Sequence, residues 1–242
     1  MRLSYFLFMC IGALTYGQSV NLPQNVKDFA EILPKGYVSL HALKEDINGD
    51  GKKDLVMVMG VEKYEYIEGT GLEYEEVWKI DFEKQYRVLA IYLRNKKGSY
   101  DLFTWSDKFI LTRYSPAQSE PLEEVYFTKK GVLVFKYYKF MTMGSWGVSS
   151  ETLRFRYRDH KMELIGYDYG EGSRATATFD KYSVNYLTGK YKIHGEEVID
   201  EDDTVVVPEQ LSWHNFKINR LYRLEEVQSN GGFSYDMLRF WE

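Results

Sequence analysis

Apolar and polar positions alternate with a period of two through Thr152-Leu153-Arg154-Phe155-Arg156-Tyr157. Leu153, Phe155 and Tyr157 fall on one side and Thr152, Arg154 and Arg156 on the other, which predicts a strand with one wet face. Leu55-Val56-Met57-Val58-Met59 and Arg87 to Leu93 are continuous apolar runs, short enough to be buried strands. Tyr100 to Trp105, Phe109 to Tyr114, Val132 to Met141, Met162 to Tyr167 and Tyr182 to Leu187 read as further strands, separated by turns such as Asn95-Lys96-Lys97-Gly98 and Gly170 to Arg174. Ser115 to Pro121 is a loop, because its two prolines cannot donate to a ladder. One segment breaks the pattern. Val26, Phe29, Ala30 and Leu33 recur at three- and four-residue intervals, which predicts a short N-terminal helix over Pro23–Leu33, ended by Pro34 and Gly36. The expected fold is mainly β (α+β only to a minor degree): a single antiparallel domain, meander or sandwich-like, over residues 18–242.

The first residues add a compartment. Met1-Arg2, an apolar run from Leu3 to Leu14 and the exit Thr15-Tyr16-Gly17 match a secretory signal peptide over residues 1–17, with cleavage after Gly17. The run is shorter than the about 20 residues a membrane span needs. Cys10, inside that run and without a lipobox before it, is the one cysteine, so the mature chain has no disulfide to rely on. The sequence therefore predicts an exported protein, periplasmic or extracellular, without stable membrane insertion. About 225 residues remain after cleavage, ample for a sizeable core. Aromatics make up 17% of the chain, with 21 Tyr, and they favour strands. Lys plus Arg number 31 against 36 acids, a net charge of −5. That balance argues against nucleic acid, whose binding requires cationic neutralisation of phosphates.

The densest chemistry lies in Asp46-Ile47-Asn48-Gly49-Asp50-Gly51-Lys52-Lys53-Asp54. Oxygen-bearing side chains stand at the first, third, fifth and ninth positions, with Gly51 at the sixth to permit a tight turn. Calcium takes six to eight oxygens at about 2.3–2.6 Å. The expected ligands are the side chains of Asp46, Asn48, Asp50 and Asp54 and the carbonyl of Lys52. The twelfth position is Met57 rather than the Glu of an EF-hand, and the flanks are strand-like. A polar turn without an ion would use the same residue types, although crowded carboxylates repel unless a positive charge joins them.

This pattern resembles the metal loop of FG-GAP-type repeats, in which the ninth-position Asp ligates directly; the resemblance gives that role to Asp54. It covers about a dozen residues. FG-GAP propellers repeat the loop, whereas this chain has one copy. A single loop is similar to a group of small exported bacterial proteins of unknown function, as are Leu164-Ile165-Gly166-Tyr167 and Leu187-Thr188-Gly189-Lys190. That likeness implies calcium and export but no activity.

Other candidates are thinner. Val61 to Phe82 mixes Glu62, Glu65, Glu68, Glu73, Glu75 and Glu76 with Tyr64, Tyr66, Tyr74 and Trp78 around a Gly-Thr-Gly tip. It reads as a solvated hairpin or a surface for sugars and cationic peptides. Glu196 to Asp203 is a second acidic stretch without the loop's spacing. Trp146 sits between Gly144-Ser145 and Gly147, where it can stack on a ligand or fold back over a sheet edge. No nucleophile elbow or phosphate loop is present. His41, His160, His194 and His214 lack metalloprotease spacing. The reading is an exported, calcium-stabilised β domain that serves as a cell-envelope or secreted binding module for a protein, peptide or glycan. The alternative is a secreted or periplasmic hydrolase using carboxylates scattered along the chain.

Overall fold

The computed structural model describes residues 20–61, 86–115, 117–176, 178–199, 205–206 and 213–228. The expected signal peptide, nearly all of the acidic Val61–Phe82 stretch and the end of the chain lie outside them.

Two antiparallel sheets follow each other along the chain. The first contains β1 (Asn25–Val26), β2 (Tyr37–Glu45), β3 (Asp54–Val61), β4 (Arg87–Arg94) and β5 (Tyr100–Ser106) in the order β1-β5-β4-β3-β2. The second is a meander of β6 (Leu122–Phe127), β7 (Leu133–Phe140), β8 (Gly147–Arg158), β9 (Lys161–Ser173), β10 (Thr178–Asn185), β11 (Lys190–Ile199) and β12 (Val205–Val206). A short β13 (Trp213–Asn215) also pairs with β11. The mainly β, antiparallel expectation holds, with two stacked sheets.

A shared apolar core explains the stacking. Val56, Val58, Leu89 and Ile91 of the first sheet join Phe135, Leu153, Phe155, Leu164, Tyr167 and Val184 of the second in one buried cluster. Between them sits Phe109, its ring edge-on to Phe135 at 4.7 Å and to Phe155 at 5.4 Å. Phe109, Ile110 and Leu111 are buried in the crossing from one sheet to the other and form no strand, contrary to the strand expected over Phe109–Tyr114. Their apolar run reflects core filling, which periodicity alone does not separate from a ladder. Arg87 of β4 ties the same crossing down through a two-pronged ion pair with Glu120 (2.5 and 2.6 Å) and a bond to the Leu111 carbonyl.

The N-terminal helix is not formed. Asn25 and Val26 pair with Asp101 and Tyr100 of β5, and a 3-10 turn follows over Phe29–Ile32, capped by the Asp28 side chain. Ala30, expected on the apolar face, is exposed, whereas Leu22, Val26 and Ile32 are buried. They cover Leu55, Met57, Met59, Val88, Ala90 and Tyr92 on the outer face of the first sheet. Pairing with the free edge of β5 satisfies backbone groups that one or two helical turns would leave open. β3 is consequently buried on both faces, which is why its sequence is a continuous apolar run.

In the second sheet Leu153 and Phe155 face the core while Thr152, Arg154 and Arg156 stay partly exposed, as the alternation requires. β9 runs through Gly170–Ser173, which reads as a turn in sequence; the chain reverses only after Arg174. No helix among the described residues is long and apolar enough to cross a membrane.

Candidate functional site

Two places gather polar chemistry, one at the end of each sheet. The first is the turn between β2 and β3. Gly49 (φ 77°) and Gly51 (φ 81°) take the left-handed conformation that L side chains resist. The Asp46 carboxylate accepts the amides of Gly49 (2.8 Å), Asp50 (3.1 Å) and Gly51 (2.8 Å). Asn48 Oδ1 accepts from the Asp50 amide, and Asp50 accepts from both the amide and the ammonium of Lys52. Lys52 thereby holds the Asp50 carboxyl below the usual carboxylate range.

Asp54 is fully buried. One of its oxygens accepts the Ile47 amide at 2.9 Å and the other the Arg94 amide at 2.7 Å, so it fastens the turn to the end of β4. Burial pushes its carboxyl up, the amides of Arg94 and Ile47 oppose that, and the charges of Asp50 and Asp46 raise it further. Asp46, Asn48, Asp50 and Asp54 therefore all shape one turn, with Lys52 beside them. The donor chemistry fits a hard cation. A carboxylate oxygen has two acceptor positions, and one amide on each Asp54 oxygen leaves a position free. Among the described residues, no three Asp, Glu, His or Cys side chains are grouped closely enough to hold an ion.

The second place is a groove of about 500 Å³ on the second sheet. Its origin lies in the strand register. Phe135, Leu153, Tyr167 and Val184 are directly opposed across β7 to β10 and form a core row. Two residues along, on the same face, Tyr137, Glu151, Tyr169 and Tyr182 form the next row. Two further along come Lys139, Ser149, Glu171 and Asp180, and all four line the groove. One sheet face thus changes from apolar to polar as it emerges from the sandwich.

The middle row is a tight polar layer. Buried Glu151 receives the Lys139 ammonium at 2.8 Å and the Tyr167 hydroxyl at 3.4 Å. Burial, and after it the Glu151 charge, pushes the Tyr167 hydroxyl far up, which keeps it a proton donor. Tyr169 donates to Glu171 at 2.6 Å and lies stacked beside Tyr167.

The walls come from turns. Gln118, buried, accepts the Tyr114 amide through its side chain and leaves Tyr114 69% exposed at the groove. Trp146 stands between Ser145 and Gly147, both lining residues, and is 65% exposed. Arg174 braces that turn. Its Nη2 donates to the carbonyls of Met141 and Ser145, each at 2.8 Å, and its backbone amide donates to the Trp146 carbonyl. The guanidinium lies 4.2 Å from the Phe140 ring centre and 5.5 Å from that of Trp146. Trp146 is an outward ring on a fastened turn.

Known proteins offer no parallel: no family model, curated protein or solved structure matches the chain.

The histidines stay apart in role. His41 is half-buried in β2, where burial lowers its pKa, and it lines a separate open depression with Glu123, Glu124, Val125 and Tyr126. His160 contacts the Tyr157 hydroxyl, and His214 stacks on Tyr191. Glu196 and Glu197 belong to β11, and residues 200–203 of that acidic stretch lie outside the description. Sequence reading singled out Trp146, which adjoins the lining residues Ser145 and Gly147 without lining the groove itself. Lys139, Ser149, Glu171 and Asp180 carry no local motif; only strand register brings them into one row.

Proposed function

We propose that the protein is an exported β-sandwich binding module that takes its ligand in the groove beside Trp146, with a structural calcium ion at the β2–β3 turn. The observation carrying the binding reading is an exposed Trp held outward on a braced turn beside a polar-lined groove. An aromatic ring without a ligand ordinarily buries its apolar area; here Arg174 and two backbone carbonyls keep it in the open. The groove's size lies within the range of about 300–1,000 Å³ common for ligand sites. Export rests on the sequence of residues 1–17. Calcium rests on the oxygen donors Asp46, Asn48, Asp50 and Asp54 with the Lys52 carbonyl, which the ion would draw together between two core strands.

The test uses isolated cell envelopes. The purified chain is expected to sediment with them, and Trp146→Ala is expected to remain in the supernatant. Equal sedimentation of the two proteins removes the groove from the reading. Breakdown of envelope polymer by catalytic amounts of the chain replaces binding by the hydrolase alternative.

A further inference from the structure

Resting on the groove as the binding site, we infer that its ligand is a basic peptide segment. A lysine or arginine head group sits between Glu171 and Asp180, and its hydrocarbon stem runs along the wall made by Tyr114 and Met141.

The charges lining the groove carry this choice. Among the described residues they are Lys139, Glu171 and Asp180. Lys139 has little to offer an anion, because buried Glu151 already takes its ammonium at 2.8 Å. What remains toward a ligand is a pair of carboxylates. They stand directly opposite each other on β9 and β10, where like charges repel and weaken strand pairing. The fold does not relieve that repulsion. Lys181, next in the chain to Asp180, leaves on the other face, over Gly170. Among the described residues, the one donor to the pair is the neutral Tyr169 hydroxyl, on Glu171 at 2.6 Å. Burial, and after it the charges of Asp180 and Glu171, pushes the Tyr182 hydroxyl up, so both carboxylates bear on one point of the sheet. A cation brought by a ligand is the missing partner, and a polyanion would meet both acids.

The size and wall of the groove say what kind of cation. Two carboxylates fall short of the six or more oxygens that a hard metal ion takes. An ammonium, with three donors, or a guanidinium, with five, suits them better. Tyr114 stands 69% exposed in the wall, fastened by its amide to Gln118 and by its hydroxyl to Met141 Sδ. Such a ring attracts cations, and methylene stems lie along apolar surface of this kind. The row from Lys139 to Asp180 crosses four strands, about 14 Å at ordinary sheet spacing, which is room for a short stretch of peptide rather than for one amine.

Isothermal titration of the purified chain tests the assignment. The probes are a capped lysine tripeptide, the same peptide with every lysine acetylated, an arginine tripeptide, spermidine and a glutamate tripeptide. One of the two basic peptides is expected to bind, more tightly than spermidine, and the acetylated and glutamate peptides are not. Asp180→Asn and Glu171→Gln should each weaken that binding about tenfold or more. Asp168→Asn, on the other face of β9, should leave it unchanged, which separates the groove from general attraction to an acidic chain. Because each groove substitution removes one of two repelling charges, the Tm of the unliganded protein should hold or rise. A fall in Tm would mean that the pair is satisfied within the fold, and overturns the assignment. Equal binding of the acetylated peptide, or of the basic peptides to both groove variants, also overturns it. Spermidine bound as tightly as the peptides, with the same loss in Asp180→Asn, keeps the cation and marks a free polyamine as its source. Absence of binding to every cation overturns the assignment alone where Trp146-dependent sedimentation with envelopes persists, and the binding reading with it where that is lost as well.

Discussion

The turn at the end of the first sheet and the groove on the second are both polar, yet they are made in opposite ways. Nine consecutive residues build the turn, and its carboxylates are largely occupied with the amides of their own loop. Four strands and two turns build the groove, and its row residues come from positions 139, 149, 171 and 180. A locally built site shows in sequence spacing; one built across strands shows only once register is known. The two should also respond differently to mutation. Damage to the turn should be felt in stability, and damage at the groove's rim in binding.

The largest expected effect lies where the groove meets the core. Glu151→Ala leaves the Lys139 ammonium without its carboxylate in a half-buried layer, and should destabilise the protein by about 3 kcal/mol in urea unfolding. A loss below about 0.5 kcal/mol would show that this layer bears no weight and that the groove floor is independent of the sandwich.

Asp54→Ala comes next, at about 2–3 kcal/mol, because the amides of Ile47 and Arg94 lose their acceptors in a buried place. Asp54→Asn, which keeps one acceptor oxygen, should fall between that variant and the wild type in the same assay. Equal stability of all three would break the view of Asp54 as the turn's fastening.

Calcium sharpens the comparison further. With the ion at about 100 times its dissociation constant, stability should rise by about 2.7 kcal/mol over the chelated protein, read as a higher Tm. Asp50→Ala should abolish that rise, and Trp146→Ala should preserve it. Identical melting in chelator and calcium would remove the ion from the turn.

Gly51→Ala should cost about 1–2 kcal/mol, since φ of 81° is strained for any L side chain even though open space surrounds the site. The smallest change in stability belongs to Trp146→Ala. It gives up an exposed ring and its contact with Arg174, about 0.5–1 kcal/mol, while removing ligand binding. A much larger loss of stability would mean that Trp146 is a structural cover.

Much of this architecture was legible from residue pattern. The strand around Leu153 and Phe155 follows from alternation, and the double burial of β3 from an unbroken apolar run. Three features were not. Val26, Phe29, Ala30 and Leu33 have helical spacing, but the open edge of β5 recruits Asn25–Val26 as a strand. Phe109 to Leu111 look like a strand because core filling and half-buried ladders draw on the same apolar residues. Gly170 and Gly172 read as a turn, yet they extend β9 and thereby carry Glu171 into the groove row.

By itself the sequence determined the β class, the strands that repeat with period two and the turn at Asp46–Asp54, because each depends on residues within one or two turns of each other. Only the tertiary structure decided which face of β7 to β10 leaves the sandwich, and so which charged side chains become neighbours. Pairing register is a property of whole strands, fixed by the core rows around Phe135 and Leu153. The polar row inherits its position from that core, and nothing within the row specifies it.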